Sequence, residues 1–161
     1  IPIFKQRYNQ LSNEKEVVEI EYKTDLEDNL NLYQILKNNI NKDIRYQYTT
    51  KGIHKDDMIF LIDKYSVKKF GSQGQQKTFL IALKLAQFDY LSKLNKNPIL
   101  LLDDIFDKLD DDRVEKIVDL VNEDSFKQIF ISDTNKKRSE EIIKKVNKSY
   151  EIFEIWKIII L

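Results

Sequence analysis

The sequence has 161 residues, of which 42% are hydrophobic and 11% aromatic, enough for one domain with a substantial core and too much for a disordered tail. Lysine plus arginine and aspartate plus glutamate balance at 27 each, so the overall charge points to neither nucleic acid nor membrane, and any such contact must be a local patch. The chain contains no cysteine, which excludes disulfides and thiolate metal sites, and no apolar run approaches the ~18 residues of a membrane span. We therefore expect a cytoplasmic protein.

The first half of the chain is predicted to contain three strands and one helix, and in the second half helices and strands alternate. Strands are predicted at residues 17–22, 45–50, 58–63, 98–104, 128–132 and 150–161, and helices at 30–40, 75–94, 111–122 and 135–146. Because helix and strand alternate in the second half, we expect one α/β domain over residues 1–161, with a mostly parallel sheet flanked by helices. Residue 1 is Ile rather than Met, so we also expect a piece of a longer chain.

Residues 69–79, KFGSQGQQKTF, contain the elements of a phosphate-binding loop at the wrong spacing. The P-loop pattern G-x-x-x-x-G-K-[ST] places a glycine directly before the lysine. Here Gln76 precedes Lys77, and the glycines are Gly71 and Gly74. No other Gly-Lys-Ser/Thr occurs in the chain, so a nucleotide handled by this protein lacks its usual cradle.

The same stretch has the spacing of a helix start. Ser72 and Gln75 match the capping box S-x-x-Q. Capping does not explain Gly74, which costs about 1 kcal/mol relative to alanine in a helix. A glycine in the first turn allows close approach to the backbone, and a helix N-terminus suits a phosphate. We expect both a cap and a phosphate contact here.

Residues 98–104, PILLLDD, read as a central parallel strand that ends in two acids. Ligands of open α/β folds bind at this edge of the sheet. In nucleotide hydrolases the first acid holds Mg²⁺ and the second orients the attacking water, roles that would fall to Asp103 and Asp104. The alternative is a pair of solvated acids that cap the following loop. The spacing excludes an EF-hand. Shortly afterwards, Asp110 is a plausible cap for the next helix.

The order of these elements resembles the second half of an ABC-type ATPase head. Residues 71–75 resemble the family signature Leu-Ser-Gly-Gly-Gln, residues 99–104 its Walker B strand, and residues 107–110 its D-loop. In that family the signature closes over the γ-phosphate of ATP held by a partner head. The resemblance therefore implies ATP and Mg²⁺ as cofactors, with Ser72, Gln73, Gly74, Gln75 and Asp110 contacting nucleotide, Asp103 binding the metal and Asp104 acting as the catalytic carboxylate.

Within the ABC ATPases the sequence resembles the RecF family of bacterial DNA-repair proteins. Residues 52–57, GIHKDD, match that family's Gly-Pro-His-Arg-Asp-Asp segment with two changes, and the similarity extends over residues 3–132. RecF proteins are more than twice this length, so the chain would be the C-terminal lobe alone, without the Walker A lobe and inactive by itself. The implied function is ATP-dependent dimerisation on DNA at single-strand/double-strand gaps. It would support RecA loading in recombination, replication repair and the SOS response, with RecR and RecO as partners.

Three departures from the ABC pattern are visible. Gly71 stands where the signature has Leu, Asp104 stands where transporter heads have Glu, and no switch histidine follows residues 128–132. The single histidine, His54, lies elsewhere and is more often structural than catalytic. Basic residues at 136–138, 144 and 145 are interrupted by glutamates, which favours a solvated helix face over a DNA-binding patch.

Two other readings of the chain remain open at the level of sequence. One is a head lobe of an SMC- or RecN-like DNA-repair ATPase, which shares the signature and Walker B motifs but has long heptad segments on both sides. The other is a non-enzymatic α/β binding module whose acids only cap a loop.

Overall fold

The computed structural model describes residues 1–12, 16–24, 26, 31–94, 96–107, 109–146 and 148–154. Within them the chain forms six helices and five strands, with one short 3-10 turn at Ile53–Lys55. The helices are α1 (Pro2–Ser12), α2 (Leu32–Tyr46), α3 (Val67–Phe70), α4 (Gln73–Lys93), α5 (Asp111–Val121) and α6 (Lys136–Ile143). The strands are β1 (Val18–Lys23), β2 (Asp57–Ile62), β3 (Tyr65–Ser66), β4 (Leu100–Asp103) and β5 (Ile129–Ser132).

The strands form two separate sheets. Strands β1, β2 and β3 make an antiparallel sheet, in which Val18 pairs with Ile62. Strands β4 and β5 pair in parallel, and their register places Asp103 opposite Ser132 at the carboxyl end. A β4–α5–β5 unit of this kind brings both strand ends to one edge, where ligands of α/β folds bind.

Helix α4 is the centre of the core. Its buried side chains contact α1 on one side and β4 on the other, and the Phe79 ring lies 4.7 Å from that of Phe4. Arg7 of α1 fixes this packing: its guanidinium binds Asp89 through two hydrogen bonds of 2.7 and 3.0 Å and also contacts Glu123 at 2.9 Å. These contacts hold α4 in place against α1 and β4, and they thereby position the N-terminus of α4 relative to the carboxyl ends of β4 and β5.

The parallel β4–β5 pair is covered on one face only. Leu100 and Leu102 are buried, whereas Leu101 is 67% exposed and Phe130 is 50% exposed. Parallel sheets are normally covered on both faces. The exposed side therefore presents apolar surface of the kind that packs against another structural layer.

Most predicted elements are confirmed with bounds shifted by at most three residues, but α2 ends six residues later than predicted and the strand predicted at 45–50 is wrong. Helix α2 continues to Tyr46 and ends where Gln47 adopts a left-handed conformation, φ 62°. The Asp43 carboxylate then accepts hydrogen bonds from the Thr50 backbone N–H (2.9 Å) and hydroxyl (2.6 Å). This contact folds the segment back on the helix and overrides the β-propensity of Tyr46 and Tyr48.

Four further differences concern the chain ends, the start of α2 and the end of α6. Helix α1 was not predicted from the sequence. The strand predicted at 150–161 is absent from residues 150–154, and residues 155–161 lie outside the described part of the chain. Leu30, predicted to begin the helix that is now α2, also lies outside it. Helix α6 ends at Ile143 rather than at residue 146.

Candidate functional site

The N-terminus of α4 is closed by the predicted capping box. The Ser72 hydroxyl accepts a hydrogen bond from the Gln75 backbone N–H (3.2 Å), and the Ser72 backbone N–H donates to the Gln75 side-chain oxygen (2.8 Å). The Gln75 amide in turn donates to Glu16 (2.7 Å), and Glu16 accepts from the hydroxyl of buried Tyr8. Burial and the hydrogen bond to Glu16 raise the pKa of Tyr8. The helix end is therefore tied to the core.

The first turn of α4 leaves backbone donors facing outward. Gln73 and Gly74 occupy the first two helical positions, whose N–H groups have no acceptor within a helix. Ser72 and Gln73 are exposed. Gly74 has no positive φ, since Gly52 is the glycine with that conformation among the described residues. The local backbone therefore does not require glycine at 74, and the missing side chain leaves the helix end open to a ligand.

Gly71, by contrast, is required by the fold. A Cβ atom at this position would lie 2.6 Å from the Val67 carbonyl oxygen, to which the Gly71 N–H is hydrogen-bonded (3.0 Å). The contact closes α3 immediately before α4. It explains physically why this chain has glycine where the ABC signature has leucine.

The two predicted acids lie together at the carboxyl end of β4. Asp103 is exposed, and one of its carboxylate oxygens accepts a hydrogen bond from the Ser132 hydroxyl. The Asp104 backbone N–H continues the sheet by donating to the Ser132 carbonyl (3.0 Å). Asp104 itself is left-handed, with φ 48°. Aspartate tolerates this conformation better than most residues, which accounts for Asp rather than Glu at the second acidic position.

The two oxygens of Asp104 have different surroundings. Oδ2 lies 3.8 Å from the Lys77 ammonium of α4. Oδ1 is buried and has no hydrogen-bond partner among the described residues. An unpaired buried acceptor is rare in folded proteins. Lys77 thus lies beside the accessible oxygen of Asp104, whereas the other oxygen is enclosed and unpaired.

The turn after β4 is braced from two helices. Lys77 donates to the Asp107 carbonyl (3.0 Å), and Arg138 of α6 donates to the Phe106 carbonyl (3.2 Å). Arg138 is fixed by Asp133, whose side chain is 2% exposed and contacts it at 2.5 Å. Burial would raise the pKa of Asp133, but hydrogen bonds from Arg138 and Ser139 outweigh it and lower that pKa. The segment after β5, in which the sequence has no histidine, thus carries a structural ion pair.

Two other predicted positions have local partners. Asp110 is the N-cap of α5, as expected, accepting from the Arg113 backbone N–H at 2.9 Å and pairing with its guanidinium at 2.7 Å. His54 is exposed and its Nε2 lies 2.9 Å from the Thr49 carbonyl oxygen, in a turn that Gly52 enters at φ 133°. Its contacts are those of a structural histidine.

Sequence reasoning missed Lys77, Ser132 and Arg138 as parts of this site. In the sequence, Lys77 stands out only against the P-loop pattern, and Arg138 only as part of a basic cluster. Their contacts with the end of β4 and the turn after it join residues 29 to 32 positions apart, which leaves no periodic signal. Asp103 and Asp104 do not belong to any group of three or more His, Cys, Asp or Glu side chains among the described residues that could hold a metal. No described helix is long and apolar enough to cross a membrane.

Comparison with known proteins identifies the relatives of this chain. No family model matches it. DNA replication and repair protein RecF of Flavobacterium johnsoniae is 52% identical over 156 residues, covering 96% of this chain and 43% of that protein. The RecF proteins of Phocaeicola vulgatus and Bacteroides thetaiotaomicron are 48% and 47% identical, each over 96% of this chain and 42% of their own length.

Two solved structures share the fold. The recombination mediator protein RecF with ATPrS, from the RecFOR pathway, matches with a TM-score of 0.66 at 24% identity, over 92% of this chain and 39% of that one. The RecF–ATP structure matches with a TM-score of 0.63 at 26% identity, over 84% of this chain and 39% of that one. The fold is therefore that of an α/β ABC-type ATPase head, as predicted.

Within that class the sequence matches identify the family. The chain belongs to the RecF family. It spans about two fifths of the length of the curated relatives it matches, and the resemblance noted in its motifs is confirmed.

Proposed function

We propose that residues 1–161 form the C-terminal lobe of a RecF ATPase head within a longer protein. The relatives are more than twice as long as the matched region, and this sequence contains no Gly-Lys-Ser/Thr loop. The exposed apolar face of β4 and β5, with Leu101 and Phe130, offers a surface on which a second lobe could complete the sheet layer. A lobe carrying Walker A would supply the missing phosphate cradle.

In this proposal the N-terminus of α4 contacts ATP bound to a partner head. The observation that carries it is the open, capped helix end, held beside the acidic strand end by Lys77. Ser72, Gln73, Gly74 and Gln75 would face the γ-phosphate, since backbone N–H groups at a helix start favour anions. Asp110 would approach the nucleotide from the following turn. The solved relatives include RecF bound to ATP, which supports ATP as the ligand.

The acidic pair supplies the hydrolytic chemistry. Asp104 accepts a proton from the attacking water. The water oxygen forms a bond to the γ-phosphorus while the bond from that phosphorus to the β,γ-bridging oxygen breaks, which releases ADP and phosphate. Asp103 would hold Mg²⁺, an ion that proteins often bind through one or two carboxylates plus substrate phosphates, so no larger acidic cluster is needed. A bound Mg²⁺ would neutralise phosphate charge. Ser132 keeps the Asp103 carboxylate in place by donating to one of its oxygens.

The biological role follows from the relatives. Those proteins carry the name DNA replication and repair protein, and the solved ones belong to the RecFOR pathway. We infer that the full-length protein dimerises with ATP on DNA gaps and acts with RecO and RecR to support RecA loading in recombination and the SOS response, in the cytoplasm. The close matches are RecF proteins, which favours this role over that of an SMC or RecN head or a non-enzymatic module.

The isolated chain provides a first test of the division into lobes. With no P-loop, we expect the 161 residues to fold but to bind ATP only at millimolar concentration, about −4 kcal/mol, and to hydrolyse none. Isothermal titration with Mg·ATP and a phosphate-release assay measure both properties. Addition of the separately expressed Walker A lobe should restore hydrolysis if the halves reassemble. Micromolar binding or steady turnover by the 161 residues alone would show a complete site and refute the division.

A further inference from the structure

The side chain of Lys77 joins two parts of the site that are distant in sequence. It lies on α4, five residues after the capping residue Ser72. Its ammonium donates to the Asp107 carbonyl at 3.0 Å and lies 3.8 Å from Oδ2 of Asp104. Only 20% of the side chain is exposed. A largely buried lysine is expected to have a specific partner, and here the partner is the turn that carries the acid.

The burial of Lys77 distinguishes it from another lysine on the same helix. Lys84 lies two turns further along α4 and is exposed.

The turn after β4 has a second cationic contact. Arg138 donates to the Phe106 carbonyl and is fixed by Asp133. The segment from Asp104 is thus braced by one cation from α4 and another from α6. Of these two cations, Lys77 belongs to α4, and in the proposed function the N-terminus of α4 faces the nucleotide bound by the partner.

We propose that Lys77 is a positioning residue that couples occupancy of the α4 N-terminus to the arrangement of Asp104. The inference rests on the proposed function. Helix α4 is a continuous helix of 21 residues whose end is capped, so a displacement at Ser72 is transmitted to Lys77 one turn away. Because Lys77 holds the Asp107 carbonyl and faces one oxygen of Asp104, that displacement moves the turn carrying the acid. When the α4 N-terminus of one protomer contacts ATP bound by the other, Asp104 of the first protomer would thereby be aligned in its own site.

The arrangement also assigns the two carboxylate oxygens different tasks. Oδ2 faces Lys77, whereas Oδ1 has no partner in the described part of the chain. The side chain is 45% exposed although Oδ1 is buried, so Oδ2 is the oxygen open to a bound water, and Lys77 beside it sets its position for proton transfer.

The test uses three variants of the full-length protein and separates assembly from turnover. Lys77→Met should leave ATP-dependent dimerisation unchanged within about twofold and lower single-turnover hydrolysis in the dimer about tenfold, while Lys77→Arg should recover most of the rate. Lys84→Met, the same change at an exposed position two turns further along the same helix, should match wild type. Sedimentation velocity with ATP and quenched-flow phosphate release provide the two readouts.

A double-variant cycle distinguishes coupling from general destabilisation. If Lys77 acts through Asp104, Lys77→Met combined with Asp104→Asn should hydrolyse ATP no more slowly than Asp104→Asn alone. Independent, multiplying losses would overturn the inference, as would wild-type turnover in Lys77→Met or a parallel loss of dimerisation. Failure of the wild-type protein to dimerise with ATP would refute the proposed function itself, a result distinct from all of these.

Discussion

Asp104→Asn in the full-length protein is expected to bind ATP normally and to hydrolyse it about 10²–10⁴-fold more slowly, so that ATP-bound dimers accumulate. The amide cannot take a proton from water, whereas Asp103 remains available to the metal. Asparagine also tolerates the left-handed backbone observed at this position, φ 48°, so the loss should not come from misfolding.

Phosphate release and size-exclusion chromatography with ATP measure the two effects of this variant. Asp119→Asn is the matched control, because it makes the same chemical change at an exposed position on α5. It should leave turnover unchanged. Wild-type hydrolysis by Asp104→Asn would remove the basis for assigning Asp104 as the general base.

Ser72→Arg should abolish ATP-dependent dimerisation while leaving ATP binding to the monomer nearly intact. Ser72 is exposed at the end of α4, where we place the partner's γ-phosphate, so a long side chain would block closure between heads. The substitution also removes the capping hydrogen bond to Gln75, which should cost about 1 kcal/mol of folding stability. We expect both the loss of dimerisation and the loss of stability; size-exclusion chromatography with ATP measures the first and thermal melting the second.

A second cap separates the steric effect from the loss of capping. Asn31 is the exposed N-cap of α2 and accepts a hydrogen bond from the Tyr33 N–H at 3.0 Å. Asn31→Arg should therefore lower the melting temperature about as much as Ser72→Arg but leave dimerisation with ATP unaffected. Dimerisation by Ser72→Arg at wild-type ATP concentrations would mean that Ser72 is only a helix cap.

The motifs could be predicted from the sequence because they depend on local chemistry. The capping box of Ser72 and Gln75, the acidic end of β4 and the cap at Asp110 each follow from neighbouring residues, and each is found in the structure. Gly71 is an instructive departure. Its deviation from the signature pattern could be seen in the sequence, but its cause, the Val67 carbonyl, could be seen only in the packing of α3 against α4.

The remaining features depend on contacts that a sequence pattern does not contain. The segment 45–50 alternates like a strand, yet it forms the last residues of α2 and a turn that the hydrogen bonds between Asp43 and Thr50 close. Helix α1 is set by the packing of Phe4 and Tyr8 against α4 rather than by a strong periodic signal. The brace formed by Lys77 joins residues 30 positions apart and ends on a backbone carbonyl.

The most direct test of action in trans is a mixing experiment with two slow variants of the full-length protein. Ser72→Ala removes the hydroxyl without adding bulk, and Asp104→Asn removes the base, so each homodimer should turn over slowly. In a heterodimer, the Asp104 of one protomer meets the Ser72 of the other, and one of the two sites is intact. Since half of the dimers in an equal mixture are heterodimers, we expect about a quarter of wild-type turnover. A mixture no faster than the mean of the two homodimers, or full turnover by Ser72→Ala alone, would contradict the account.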